Sequence, residues 1–409
     1  MVFVTPPVRS PDEGGHFIRA YEFATQGISA IWNADLSVPV RADIARDYTR
    51  WSDLVPAHSG KTREKYAWKD FLNKDMGAAA KEPDISVPLA HPQAIMFPVG
   101  YFPQVTAMVI ANGFDAPFLV LLYGARLFNF FICLAITAFA LRLAPHFAKV
   151  PLIAVNLLPM TVFLRSQIST DGLLIAATGF VLVVLLQLYE KRKNNNWREF
   201  FLLHAGLIVG MLIIAATKST YLIIFAFWLV IPKRNFKDWL AGAAVMLPAV
   251  ILTLVWGNFL GQHDYAIHGG QAGLLDPTEK IALLQHNPLE VVTRIFYSLW
   301  RNIFKWSGQM IGIFGWMDIE LFVGWCFAGV IWLASLVWVE KSRASNLSTM
   351  PCYTLVAVFA AQVFFVLLTI FIIWADPASS TIGGIQGRYF LPLLPCLLIG
   401  LGQIPSRKK

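Results

Sequence analysis

Residues 118–141 read FLVLLYGARLFNFFICLAITAFAL, an apolar run interrupted by one charge, Arg126. A helix crosses the hydrocarbon of a bilayer with about 20 apolar residues. The stretch therefore predicts a transmembrane helix rather than a core element of a water-soluble domain. Similar runs predict spans at 148–168, 171–190, 199–216, 218–232, 238–260, 318–338, 352–374 and 385–402. The run 218–232 is short, and reads as a tilted or broken helix or as one arm of a tight hairpin with 199–216. A further run, 94–111, carries Pro98 and Pro103 and reads as an interfacial helix. The expected fold class is all-α, a polytopic transmembrane helical bundle. Residues 1–117 form an extracytoplasmic segment, and 118–409 form about nine helices with an external loop at 261–317.

Composition agrees. Of 409 residues 56% are hydrophobic and 14% charged, with a mean hydropathy of +0.57, whereas soluble domains carry roughly 25% charge. So little charge excludes a disordered, fibrous or nucleic-acid-binding chain and argues against a cytoplasmic enzyme. The aromatic load, Phe 31 and Trp 14, suits membrane cores and interfaces. Cys133, Cys326, Cys352 and Cys396 lie in or beside apolar runs without a CxxC pair, which reads as packing rather than disulfide or zinc chemistry.

The net charge of +8 is unevenly distributed. KRKNNNWR at 191–198, PKRNFK at 232–237, SRKK at 406–409, the stretch Arg142 to Lys149, and EKSR at 340–343 supply basic loops. The expected spans place all five on one side, which the positive-inside rule makes cytoplasmic. The C-terminus is then cytoplasmic and the N-terminus external. MVFVTPPV is no export signal, so the expectation is a missing first transmembrane helix of which it is the tail.

Candidate functional residues begin in SPDEGGHFIRAYEF at 10–23. Asp12 and Glu13 read either as caps near a helix dipole, or as groups that accept a proton from a hydroxyl or hold a divalent cation beside a phosphate. His16, Arg19 and Glu22 share a helical face. His91, Tyr101 and Gln104 can line a cleft, although aromatic anchoring also explains Tyr101. Arg126, Arg165, Asp171, Lys218, Tyr221, Asp318, Arg388 and Tyr389 lie within or beside spans, mostly toward the external side. Ionisable groups there are costly unless paired or wet. Arg165, Lys218 and Arg388 suit a phosphate or pyrophosphate, while capping explains Asp171 and snorkelling explains Lys218.

Several stretches carry a family resemblance: PDEGGHFIRAYEF at 11–23, YFPQ at 101–104, ARLFN at 125–129, LLPMTVFLRSQISTDGL at 157–173, TKSTY at 217–221, GIFGWMD at 312–318 and GGIQGRYFLPLLP at 383–395. Together they resemble the DUF2142 family of bacterial polytopic membrane proteins. That family in turn looks like the GT-C superfamily of membrane glycosyltransferases. The resemblance implies a GT-C-like bundle with a large first extracytoplasmic loop in the bacterial inner (plasma) membrane. It maps Asp12 onto the catalytic base or metal ligand, with Glu13 beside it, and 14–31 and 94–111 onto two juxtamembrane helices. It implies a polyprenyl-phosphate-linked sugar donor and a cell-envelope glycan or lipid acceptor, with a divalent cation as the one cofactor considered. Family members carry a full helix before the PDE motif, of which MVFVTPPV is expected to be the tail. The rival readings are a transporter or flippase, a polymerase of polyprenyl-linked glycans, and a non-catalytic scaffold. No internal repeat of the kind transporters show is evident.

Overall fold

The computed structural model describes residues 1–32, 37–52, 82–89, 93, 96–191, 197–233, 235–262, 277–315, 319–341, 347–376 and 379–405. Helix dominates them. Six helical segments are long and apolar enough to cross a membrane: Phe118–Leu143, Asp171–Glu190, Arg198–Val230, Phe236–Gly261, Val323–Lys341 and Thr349–Trp374. The helices His146–Leu157 and Pro159–Arg165 make a seventh candidate, bent by 70°. The chain is thus an all-α polytopic membrane bundle.

Two expected spans are not straight crossings. The segment 148–168 breaks at Pro159, which cannot donate a backbone hydrogen bond and forces the residue before it out of helical geometry. Leu158 is accordingly extended, at φ −56° and ψ 134°. The segment 385–402 becomes a 3-10 turn, Gly387–Phe390, followed by the ten-residue helix Leu394–Gln403.

The segment 198–230 is not straight either. The helix Trp197–Lys218 ends where Lys218 turns extended, at φ −150° and ψ 99°, and the 3-10 helix Ser219–Val230 follows. His204 and Trp228 then meet edge to face with ring centroids 5.4 Å apart. A continuous α-helix would hold those residues about 36 Å apart. The chain doubles back at Lys218, and 199–216 and 218–232 are the two arms of a hairpin.

The residues fall into two compact units. The first comprises Met1–Leu134, Val162–Leu173 and Phe314–Ile319. In it the helix Glu13–Gln26, continued by the 3-10 helix Gly27–Trp32, packs on the helix Phe102–Asn112. The stretches 14–31 and 98–111 are thus helical. Phe17 anchors them, its ring 4.9 Å from that of Phe118. Strands Ser37–Arg41 and Asp84–Pro88 pair antiparallel, and the helix Ala42–Ser52 follows the first. Residues 53–81 lie outside the described residues.

The second unit comprises Ala135–Thr161, Leu174–Ile313 and Glu320–Lys409. Its centre is the helix Asp171–Glu190 from Leu174 onward. That helix is apolar on every side, and 83% of its most apolar window is buried, against 17% for Phe236–Gly261 and Val323–Lys341. An all-round apolar helix belongs inside a bundle. The two exposed ones present Leu254, Trp325 and Trp338 outward, as lipid-facing helices do. The stretch 261–317, expected as an external loop, contains the helices Pro277–His286 and Pro288–Gly312.

Candidate functional site

In the first unit the charge inside the opening span has a specific partner. Arg126 is fully buried, and its Nε and Nη2 donate to both carboxylate oxygens of Glu13 at 2.8 and 2.6 Å. Its remaining donors reach the carbonyls of Val2, Thr5 and Pro6 at 2.7 to 3.0 Å. Glu13 Oε1 also accepts the backbone N–H of Ile168 at 3.1 Å. One guanidinium thus ties the amino-terminal stretch, the first turn of Glu13–Gln26 and the 166–170 turn together. Charge-assisted, bidentate pairing of this kind fixes geometry as well as adding energy.

Asp12 sits differently. It is half-buried, occupies the N-cap position without capping through its side chain, and is held at φ 61°. A non-glycine residue in the left-handed region stores about 1–2 kcal/mol of strain. Val8 is likewise at positive φ, 60°. One turn into the helix, His16 Nδ1 and the Tyr101 hydroxyl share a hydrogen bond of 2.5 Å. Burial pushes the Tyr101 phenol far above its ordinary range; Arg19 opposes that shift, while Asp12 and Asp171 add to it. Tyr101 is therefore the point at which His16, Arg19, Asp12 and Asp171 act on a common group. Arg19 is buried and pairs with Glu22 at 2.6 Å, one turn along the face shared with His16.

The turn between the bent pair and Asp171–Glu190 is braced by side-chain amides. Asn129 Nδ2 donates to the carbonyls of Arg165 and Gln167 at 3.2 and 2.9 Å. Gln104 Nε2 donates to Ser169 O at 2.9 Å, and Gln167 Nε2 to Thr5 Oγ1 at 3.2 Å. Gly172 permits the close return of the chain, since a Cβ there would stand 3.0 Å from Arg165 Cα. Arg165 itself is 4% exposed.

In the second unit a separate cluster forms around Tyr389. Tyr221 donates its hydroxyl to Tyr389 O at 2.7 Å, and Gln362 Nε2 donates to the same oxygen at 2.8 Å. Lys218 Nζ lies 4.9 Å from the centre of the Tyr389 ring, and Arg388 Cζ 5.6 Å from it. Lys218 and Arg388, both half-buried, therefore share one aromatic neighbour. A ring face attracts cations, and two cations held this close suit an anion. Lys218 is available here because the hairpin reverses at it.

Of the residues expected from sequence, Asp12, His16, Arg19 and Asp171 converge electrostatically on Tyr101 in the first unit. Glu13 pairs with Arg126 there. Lys218, Tyr221, Arg388 and Tyr389 converge in the second. Asp318 and His91 lie outside the described residues. Gln362 and Thr5 were missed; the visible signal for Gln362 is an amide in the middle of an apolar run. Among the described residues no three His, Cys, Asp or Glu side chains gather as a metal-binding set.

No curated protein and no solved structure matches the chain. A family model described as "Predicted membrane protein (DUF2142)" matches residues 1–397, nearly the whole chain, and the protein belongs to that family.

Proposed function

We propose that the protein is a membrane glycosyltransferase that moves a sugar from a polyprenyl-phosphate-linked donor to a hydroxyl of a cell-envelope glycan or lipid. The observation that carries this reading is the half-buried Asp12 at the head of the helix Glu13–Gln26, held at φ 61° beside the Glu13–Arg126 clamp. In the proposed reaction Asp12 accepts the acceptor's hydroxyl proton as that oxygen bonds to the anomeric carbon. The bond from that carbon to the phosphate oxygen breaks, and polyprenyl phosphate leaves with the electron pair. Glu13 acts as a positioning residue through Arg126. The His16–Tyr101 pair, with Arg19 and Asp171, sets the electrostatic surroundings of the base. Within the second unit, Lys218 and Arg388 around Tyr389, with Tyr221 and Gln362, form a proposed anion site of their own. Arg165 is the proposed cation of the first unit. Stabilising charge as it develops on the leaving group is where such cations contribute most.

The test uses the full chain in proteoliposomes with a radiolabelled polyprenyl-phosphate sugar and envelope lipid acceptors. Removing a general base lowers turnover by about 10²–10⁴-fold, so Asp12→Asn should do that while leaving folding intact. Undiminished transfer by Asp12→Asn removes Asp12 from the chemistry. Donor that crosses the bilayer without transfer would support the transporter reading instead.

A further inference from the structure

A cavity of about 450 Å³ opens in the second unit where three helix ends meet. The last turn of Phe118–Leu143 contributes Arg142. The first turn of His146–Leu157 contributes His146 and Lys149. The last turn of Asp171–Glu190 contributes Gln187 and Glu190, with Lys191 just beyond. Among the described residues neither Arg142 nor Lys149 has an ion-pair partner. Glu190 is the one carboxylate of the lining and faces Lys191 and His146. The His146–Leu157 helix begins after Pro145 without a side-chain cap, so its first N–H groups and dipole point the same positive sign at the cavity.

A second observation points to a ligand rather than to a solvated basic loop. Gln187 is only 8% exposed, and its Nε2 donates to Leu143 O. Its buried Oε1 has no hydrogen-bond partner among the described residues. An unmade bond at a buried carbonyl oxygen costs about 1–3 kcal/mol, and a ligand O–H in the cavity would satisfy it. Cations and a helix N-terminus take a phosphate; the free amide oxygen takes a neighbouring hydroxyl.

We propose that this cavity is a binding site for a phosphate ester that carries a free hydroxyl, of the glycerol-phosphate kind. It is separate from the cation pair at Tyr389. Lys191 and Lys218 flank opposite ends of the 22-residue helix Trp197–Lys218, about 33 Å long. The ligand chemistry is shared by a phosphatidylglycerol headgroup and by soluble glycerol phosphate, and the experiment separates them.

The full-length protein is reconstituted in phosphatidylcholine nanodiscs with or without phosphatidylglycerol, and retained lipid is counted by native mass spectrometry. In parallel, sn-glycerol 1-phosphate is titrated calorimetrically in lipid-free detergent. Retention of phosphatidylglycerol over phosphatidylcholine by about ten-fold or more is expected for a site with two charged hydrogen-bond donors. Arg142→Gln with Lys149→Gln should abolish the preference, and the charge-preserving exchange Arg142→Lys with Lys149→Arg should keep it. Gln187→Leu should lose the preference for phosphatidylglycerol over hydroxyl-free phosphatidic acid. Heat from glycerol phosphate identifies a soluble ligand, and selective lipid retention without it identifies the headgroup. Absence of both, or unchanged binding by the double Gln variant, overturns the site.

Discussion

Arg126→Met removes a guanidinium whose partners are buried or, at Pro6, half-buried, and the expected damage follows from what it strands. Glu13 would keep only the N–H of Ile168, leaving a carboxylate inside the protein without its counter-charge. Breaking a buried pair in this way costs about 3–5 kcal/mol. The carbonyls of Val2, Thr5 and Pro6 lose their donors as well, at about 1–3 kcal/mol for each that water cannot reach. Together these rival the 5–15 kcal/mol that typically holds a domain folded. The single variant should therefore lose the first unit's structure in mild detergent at ordinary temperature. Glu13→Gln, which keeps the shape but strands the guanidinium, should cost about 3–5 kcal/mol. The double variant Glu13→Gln with Arg126→Met should be more stable than the two single costs predict, because it strands no charge. The measurement is denaturant unfolding in mixed micelles, followed by fluorescence, with a double-mutant cycle. An Arg126→Met protein within about 1 kcal/mol of the parent, or strictly additive variants, would refute the clamp; coupled residues depart from additivity by about 0.5–3 kcal/mol.

Asp12→Gly should raise stability by about 1 kcal/mol by relieving the left-handed strain while abolishing transfer. Parallel melting and activity measurements check that opposition. Gly172→Ala places a methyl against Arg165 Cα and Leu164 O, both backbone atoms that cannot rotate away. Overpacking of this kind costs about 1–3 kcal/mol, readable in the same unfolding assay. The raised Tyr101 phenol keeps its proton in the folded state above pH of about 10, where an unfolded tyrosine loses it. The unfolded state then binds fewer protons, so the contribution is constant below that pH and stability falls as pH rises through it. Unfolding curves taken at increasing pH should show that slope, and Tyr101→Phe should flatten it.

The membrane class was legible because apolar runs long enough to cross a bilayer are distinctive, and the helix bounds at 118–141, 171–190 and 352–374 follow from length alone. The hairpin at Lys218 was anticipated as one of two options, since twelve to fifteen apolar residues do not decide between a broken helix and a returning arm. What decided it was the His204–Trp228 contact, which no local pattern encodes. The 70° bend at Pro159 was signalled by the proline and overlooked because the flanking residues stay apolar on both sides. The helix Pro288–Gly312 does not stand out as an apolar run, because its apolar residues are interleaved with Arg294, Arg301 and Lys305. That amphipathic spacing suits an interface helix and falls below any threshold set for spans. Among site residues, the acidic pair was conspicuous, but which carboxylate is committed to an arginine 113 positions away is a tertiary fact. Gln362 stands out only as an amide within an apolar run, and Thr5 carries no local signal, because its partners Arg126 and Gln167 are distant in sequence.

The winding of Ser219–Val230 has a consequence for the surrounding lipid. Twelve residues reach about 18 Å as an α-helix and about 24 Å at the 2.0 Å rise of a 3-10 helix. Tighter coiling thus lengthens a segment too short to match a hydrocarbon layer of about 30 Å. A deficit of about 6 Å remains, and lipid beside a short apolar element thins to meet it at fractions of a kcal/mol per Å. The bilayer should therefore be dimpled along this arm, bringing headgroups down toward Lys218 instead of requiring Lys218 to climb to them.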